Sequence, residues 1–467
     1  ADKLTYLLLG GAADDGDMPP SPPGKGGTGP VDERDVASPV SPTSPRPFRV
    51  GVLGSSNAAG HDNNYTSSFV PHLRAGLNRI LVPLGISPIV TSLAQGNTYS
   101  IPNAMCGPAL LGDNPLDLLI LEYWMNDAPF FKEQAEWYET AIRTALRAPG
   151  QPAILFVAVE GGRRTKREGD RPHRADMRRL QDSFYTVDPY RGLRDHYLDF
   201  SVNNLFMADA LYPIDTRYPF RYEDLFATFH PGPAGHMFLS HAVEHYVAAA
   251  AAFSTARLAD WLRAGMQVSE LRDVFVAMAA EPLDLPPPLE CEPDVCDAPV
   301  AHCATTFVPS LAAPLTDHLI NATSFPDAQL PGGTWALTIP ASVASHLHPE
   351  LGLVDIKFVL QGDASSGFVH LAVRTSARSG IIFVCEPPAG WKRDEGWGSV
   401  RNDTLVQVDG HAVDLLQPSR HRLSQGPGFA AICTEVATQL APGPHAVSIK
   451  VKATSSNYVQ LSHIVGL

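Results

Sequence analysis

Apolar runs and amphipathic stretches alternate along the chain from Phe48 to about residue 255. "RVGVLG" (49–54), "SPIVTSL" (87–93), "LDLLILEY" (116–123) and "AILFVAV" (153–159) are short, nearly continuous apolar runs. Runs of this length read as strands buried on both faces. Between and after them, "SSFVPHLRAGLNRIL" (67–81), "KEQAEWYETAIRTAL" (132–146) and "AGHMFLSHAVEHYVAAAAAF" (234–253) carry apolar residues at helical spacing. Strands alternating with helices predict βαβ units and an α/β fold, an αβα sandwich around a parallel sheet. Functional groups in such folds gather beyond the C-terminal ends of the strands. Ser56 lies just past the first predicted strand, and Asn126 just past the third.

The texture differs on either side of this domain, which spans residues 48–262. Residues 1–47 form a Pro/Gly/Ser-rich arm, with "MPPSPPGKGGTGP" and "SPVSPTSPRP", and such a stretch buries too little to repay its ordering entropy. The short apolar "LTYLLL" at its start is expected to dock as a strand. Residues 263–303, containing "EPLDLPPPLECEPDVCDAPV" (281–300), read as a Pro/Cys-rich linker. From 304 to 467 the runs "WALTIPASV", "VDIKFVLQG", "FVHLAVRTS", "GIIFVCEPP", "HAVSIKVKA" and "YVQLSHIVGL" alternate and are rich in β-branched residues. They predict a C-terminal antiparallel β-sandwich.

Charge and cysteine content narrow the function classes. A formal net charge of -14 over 467 residues argues against nucleic acid as a partner, because phosphate binding needs a basic face. The basic stretch "GGRRTKREGDRPHRADMRR" (161–179) reads as a solvated surface insertion. No run reaches the ~20 apolar residues of a membrane span. Of six cysteines, Cys291, Cys296 and Cys303 crowd one linker. Their loose, Asp/Pro-rich spacing lacks the second paired-Cys half of a zinc site, so disulfides are expected, with the pairing open. Disulfides suit a secretory lumen or the space outside the cell, and an opening Ala in place of Met suits a processed or truncated N-terminus. Sequons at Asn64, Asn321 and Asn402 are candidate glycosylation sites.

Four features stand in chain order. Ser56 occupies a Gly-x-Ser after the first strand. A small-residue turn, "LAQGNTYS", follows the second, "EYWMNDAP" (122–129) the third, and "FHPGPAGHMFLSHAV" (229–243) opens the last helix. This set resembles the SGNH, or GDSL-type, hydrolase family over roughly residues 48 to 255, and "EYxxND" with "HPxxxGH" is most similar to extracellular plant and green-algal members. A serine hydroxyl becomes a nucleophile when a base, usually histidine, takes its proton. The resemblance implies Ser56 as nucleophile and His230 as base. It implies an oxyanion hole from the Ser56 N–H, Gly96 or its neighbour Asn97, and the Asn126 amide. No metal or cofactor is called for. His236 is expected to pack at the head of the helix and Asp127 to brace its loop.

Three positions depart from the family pattern. The orienting acid normally stands three residues before the histidine, where this chain has Ala227; Asp224 is the nearest acid and Glu223 the next. Trp124 stands where the family has a small residue, and its ring would narrow the site. The glycine after the second strand is ambiguous between Gly96 and its neighbour. The C-terminal sandwich resembles β-domains appended to such hydrolases and is a candidate carbohydrate-binding domain, although Trp391 and Trp397 read first as loop packing.

The reading that follows is a secreted or lumenal serine esterase that removes acyl groups, such as acetyl, from a glycan. Acyl transfer to a sugar is the runner-up within enzymes. The rival class is a weakly active or inactive structural or glycan-binding protein, partnered with an extracellular matrix or surface assembly. Ala227 and the Pro-rich arm favour that rival.

Overall fold

The computed structural model describes residues 4, 8, 46–61, 63–94, 100, 106–107, 111, 115–127, 131–148, 150–159, 189–206, 225–226, 230–280, 283–291, 293–297, 302–305, 358–361, 369–376, 380–386, 400–415, 433–452 and 458–467. All statements below concern these residues. The basic stretch at 161–179, both Trp391 and Trp397, and Asn321 lie outside them. Of "LTYLLL", Leu4 and Leu8 are described, and both are helical where a strand was expected.

The four apolar runs form strands β1 (Arg46–Gly54), β2 (Ile86–Ser92), β3 (Leu118–Glu122) and β4 (Ala153–Ala158). A fifth, β5 (Val202–Phe206), joins them in the order β2-β1-β3-β4-β5. β1, β3, β4 and β5 pair in parallel. Its sequence, "VNNLF", hid β5, because two asparagines interrupt the apolar run of an edge strand. All five residues of β3 are buried, which explains why its apolar run shows no alternation. The strand order reverses between β1 and β3, and α/β sheets of this order bind ligands in the crevice beyond the strand ends at that switch point.

The helices are α1 (Ser56–Ala59), α2 (Phe69–Leu81), α3 (Trp124–Asp127), α4 (Phe131–Arg147), α5 (Pro189–His196), α6 (Pro233–Arg263) and α7 (Val268–Ala280). The last of these falls inside the stretch expected as a linker. By contact density the chain divides into two compact units. One comprises 1–48, 74–89 and 244–281. Within it Leu271 and Phe275 are buried beside Leu258, Trp261 and Met266, and the Arg257 guanidinium lies 4.3 Å from the Trp261 ring centre.

The other unit, 49–73, 90–243 and 282–467, holds the catalytic candidates and the C-terminal strands. There, two four-stranded sheets form the expected antiparallel sandwich: one orders His411–Val413, Thr404–Val408, Gly443–Val451 and Val369–Thr375, the other Cys433–Ala437, Ile382–Cys385, His463–Gly466 and His302–Thr305. Leu371, Val384, Val447, Ile449 and Ile464 lie in its interior. A second core runs without a break from Leu119, Leu121 and Ile154 of the parallel sheet to Phe383, Val465 and Leu467 of the sandwich.

Polar groups anchor the chain between 283 and 297. The buried Glu139 carboxylate on α4 accepts three successive backbone N–H groups, from Leu289 (2.7 Å), Glu290 (2.6 Å) and Cys291 (2.9 Å). One turn on, buried Arg143 donates to the Tyr197 hydroxyl at 2.8 Å, the Pro286 carbonyl at 2.6 Å and Asp297 at 2.7 Å. A buried guanidinium is tolerated because every side of it meets an acceptor. The segment therefore lies fixed along α4.

All six cysteines are paired: Cys106–Cys303, Cys291–Cys296 and Cys385–Cys433. The first spans 197 residues and ties the segment after β2 to strand β6 (His302–Thr305). Peptide mapping without reduction should recover these three pairs. Replacing Cys106 and Cys303 together by Ser is expected to cost about 2–4 kcal/mol in urea unfolding.

Candidate active site

β1 and β3 run in register from Val50↔Leu118 to Gly54↔Glu122, so both strands end at the same level. Gly54 is required there: a Cβ would lie 2.5 Å from that of Ala58. The chain then turns sharply into the short helix α1, with the Ser55 N–H donating to the Glu122 carbonyl at 2.8 Å. Helix α1 ends at Gly60 in the left-handed region, φ 78°. This turn carries Ser56, which is half-buried, between the buried Ser55 and Asn57.

Far along the sequence, the loop bearing His230 is fixed by backbone contacts. Phe226 and Pro231 form an antiparallel bridge, and the Gly232 N–H donates to the Leu225 carbonyl at 2.8 Å. Gly235 permits this close approach, since a Cβ there would sit 2.1 Å from the Leu225 oxygen. The Asn63 amide, on the nucleophile side, donates to the Pro231 carbonyl at 2.8 Å and so ties the two loops together.

The result is a hydrogen bond of 2.9 Å between Ser56 Oγ and His230 Nε2, across 174 residues of sequence. The Nδ1–H tautomer leaves Nε2 free to accept the serine proton, the arrangement a general base needs. The exposed His61 lies with its ring centre 4.6 Å from that of His230.

A third group meets the same turn. Glu122, fully buried at the end of β3, accepts the Ser55 hydroxyl (3.1 Å) and the Ala58 N–H (3.1 Å) on one oxygen and the Asn57 amide (3.3 Å) on the other. Burial pushes its pKa up to about 8 against these donors, which favour the charged form. The sequence showed an acid in "EYWMND", but nothing local said that it would face a turn 64 residues away.

No protein-family model matches this chain, and neither does any curated protein sequence. Among solved structures it is similar to a two-domain esterase active on acetylated mannans, at 14% identity and a TM-score of 0.46, with 90% of this chain and 91% of that chain covered. An acetylxylan esterase from Geobacillus stearothermophilus is 17% identical over 42% of this chain and 92% of its own, with a TM-score of 0.28. A lipolytic protein of the G-D-S-L family from Veillonella parvula is 14% identical over 42% and 95%, with a TM-score of 0.29. At these identities and scores none of them decides the chemistry, which is carried by the side chains.

The remaining candidates divide. Asn126 is half-buried, and its N–H donates to the Tyr123 carbonyl at 3.0 Å in the turn that follows β3. Asp127 is buried and accepts the Ser100 N–H at 3.1 Å, so it braces the segment after β2. The Trp124 ring, expected to narrow the site, is 7% exposed and belongs to the hydrophobic core. It lines a small cavity with Leu121, Tyr138, Phe156, Val157, Ala158 and Asn204, none of them part of the Ser56–His230 pair. His236 is buried at the head of α6, as expected. Burial, and then His72 and His230, lower its pKa to about 4, so it stays neutral.

Asp224, Glu223, Ala227, Gly96 and Asn97 lie outside the described residues. Asn64 and Asn402 are both exposed, as a glycosylation acceptor must be. Among the described residues no group of His, Cys, Asp and Glu could hold a metal ion.

Gly235→Ala offers a test of the histidine loop. The added methyl has backbone in its way, so the loop must move, and the expected loss is about 1–3 kcal/mol in thermal or urea unfolding, with a fall in turnover to match.

Proposed function

We propose that the chain is a serine ester hydrolase of SGNH type, acting on acylated glycans in a secretory lumen or outside the cell. The observation that carries the reading is the 2.9 Å contact between Ser56 and His230, at the switch point of the sheet. As Ser56 Oγ bonds to the ester carbonyl carbon, its proton passes to His230 Nε2. The carbonyl oxygen becomes an oxyanion, for which the Ser56 N–H, Gly96 and the Asn126 amide are the proposed donors. His230 then returns the proton to the leaving alcohol oxygen as the C–O bond breaks, leaving an acyl-Ser56. Water repeats the two steps and frees the carboxylic acid.

Asp224 is proposed to hold the imidazole in the Nδ1–H tautomer, in place of the acid missing at Ala227. A half-buried serine at a strand end supports a polymeric substrate, because the bulk of a glycan can stay in solvent while one acyl group reaches the hydroxyl. Three disulfides support an oxidising compartment. No helix among the described residues is long and apolar enough to cross a membrane.

Ser56→Ala is expected to lower hydrolysis of a small acyl ester by about a thousandfold or more, with the thermal midpoint nearly unchanged. Full activity in that variant would show that another residue attacks. Asp224→Asn and Ala227→Asp, assayed together on acetylated polysaccharides and small acetyl esters, test the displaced acid. A sharp loss in the first supports Asp224, since an amide cannot stabilise the imidazolium. Gain in the second without loss in the first indicates a site that has lost its orienting acid. Absence of turnover in the parent and both variants, on every ester, overturns the catalytic reading for these substrates.

A further inference from the structure

We propose that Glu122 is a positioning residue for Ser56: its carboxyl clasps the nucleophile turn from beneath and thereby keeps the serine hydroxyl against His230. This deepens the reading of Ser56 and His230 as nucleophile and base, and rests on it.

The clasp takes hold on both sides of the serine. The Ser55 hydroxyl and the Ala58 N–H converge on one carboxyl oxygen, the Asn57 amide reaches the other, and the Ser55 N–H is held by the Glu122 backbone carbonyl. Ser56, between them, meets His230 instead. Every other position of β3 is leucine or isoleucine, and all are buried. A carboxyl at the end of such a strand costs several kcal/mol if charged, so its retention here goes with the three backbone and side-chain donors its oxygens accept.

The same burial gives the clasp a pH signature. With its pKa pushed up to about 8, the carboxyl is neutral at neutral pH. The titratable group that feels its charge is Tyr123: burial first, then Asp127 and Glu122, raise the Tyr123 hydroxyl well above its ordinary range. Ser55 and Asn57, facing from the turn, are uncharged. The fold favours the neutral carboxyl, so its contribution to stability is full below the ordinary carboxyl value of 4.5 and is lost as pH rises from there through about 8. A histidine base behaves oppositely, gaining competence as it loses its proton. A fall in kcat above about pH 8 that disappears when the carboxyl is replaced therefore reports the carboxyl.

The test is a pH profile of kcat and KM for the parent, Glu122→Gln and Glu122→Ala, with urea unfolding of each from about pH 5 to about pH 9. Glutamine, neutral and nearly isosteric, should keep kcat within about threefold at neutral pH and abolish the alkaline fall. Alanine should lower kcat about tenfold or more with KM within about twofold. Parent-like kcat in the alanine variant, or an alkaline fall retained in the glutamine variant, overturns the proposal; if the alanine variant does not fold, the glutamine profile decides alone. A parent that hydrolyses no ester and takes no fluorophosphonate on Ser56 fails the nucleophile reading instead. The urea series then judges the clasp separately: a midpoint that declines with pH in the parent and not in Glu122→Gln supports it, and identical slopes overturn it.

Discussion

The pairing of β1 with β3 is the constraint on which the site depends. Because Gly54 stands opposite Glu122, the turn after one strand and the acid ending the other occupy the same level of the sheet. A slip of one residue would turn every β3 side chain to the other face, carrying the carboxyl away from Ser55, Asn57 and Ala58. The register is specified by apolar burial across the strand pair, so the geometry of the serine turn is ultimately held by hydrophobic packing that lies well below it. The strand order reverses at this pair, the place where sheets of this kind bind their ligands.

The buried ionisable side chains Glu139, Arg143 and Glu122 follow one pattern. All three sit where water does not reach, and each is met by several donors or acceptors fixed on other elements. Glu139 and Arg143 lie four apart on α4 and face the same segment. One collects its N–H groups and the other its carbonyl and carboxylate oxygens. A Pro-rich stretch makes few hydrogen bonds of its own, since proline lacks the donor, and the helix supplies the partners it lacks. The Cys291–Cys296 bridge closes the same stretch on itself.

The parallel sheet and the sandwich share one continuous apolar core, and Cys106–Cys303 crosses between their segments. The stretch expected as a Pro/Cys-rich linker is held along α4 beside that core. The disulfide has a thermodynamic role, because closing a loop of this length removes much of the freedom of the unfolded chain.

Local sequence determined a good deal here. Four apolar runs mark strands, of which β3 and β4 are buried while the edge strand β2 alternates and leaves Ile89 exposed, a Gly-x-Ser after the first marks a sharp turn, and "HPGPAGH" before a long apolar helix marks a constrained helix start. Those features place Ser56 and His230 at constrained turns that glycine and proline announce locally, whereas their pairing was what the resemblance of the ordered motifs implied. Trp124 was misjudged for the complementary reason: its position in the motif was legible, but the direction of its ring was set by Tyr138, Phe156 and the core around them. Asn63, Glu122 and Glu139 act through partners 168, 64 to 67 and 150 to 152 residues away. No window along the chain contains both ends of such contacts. Periodicity and turn chemistry are local and decide which elements form; the distance between a donor and its acceptor is fixed only when those elements pack.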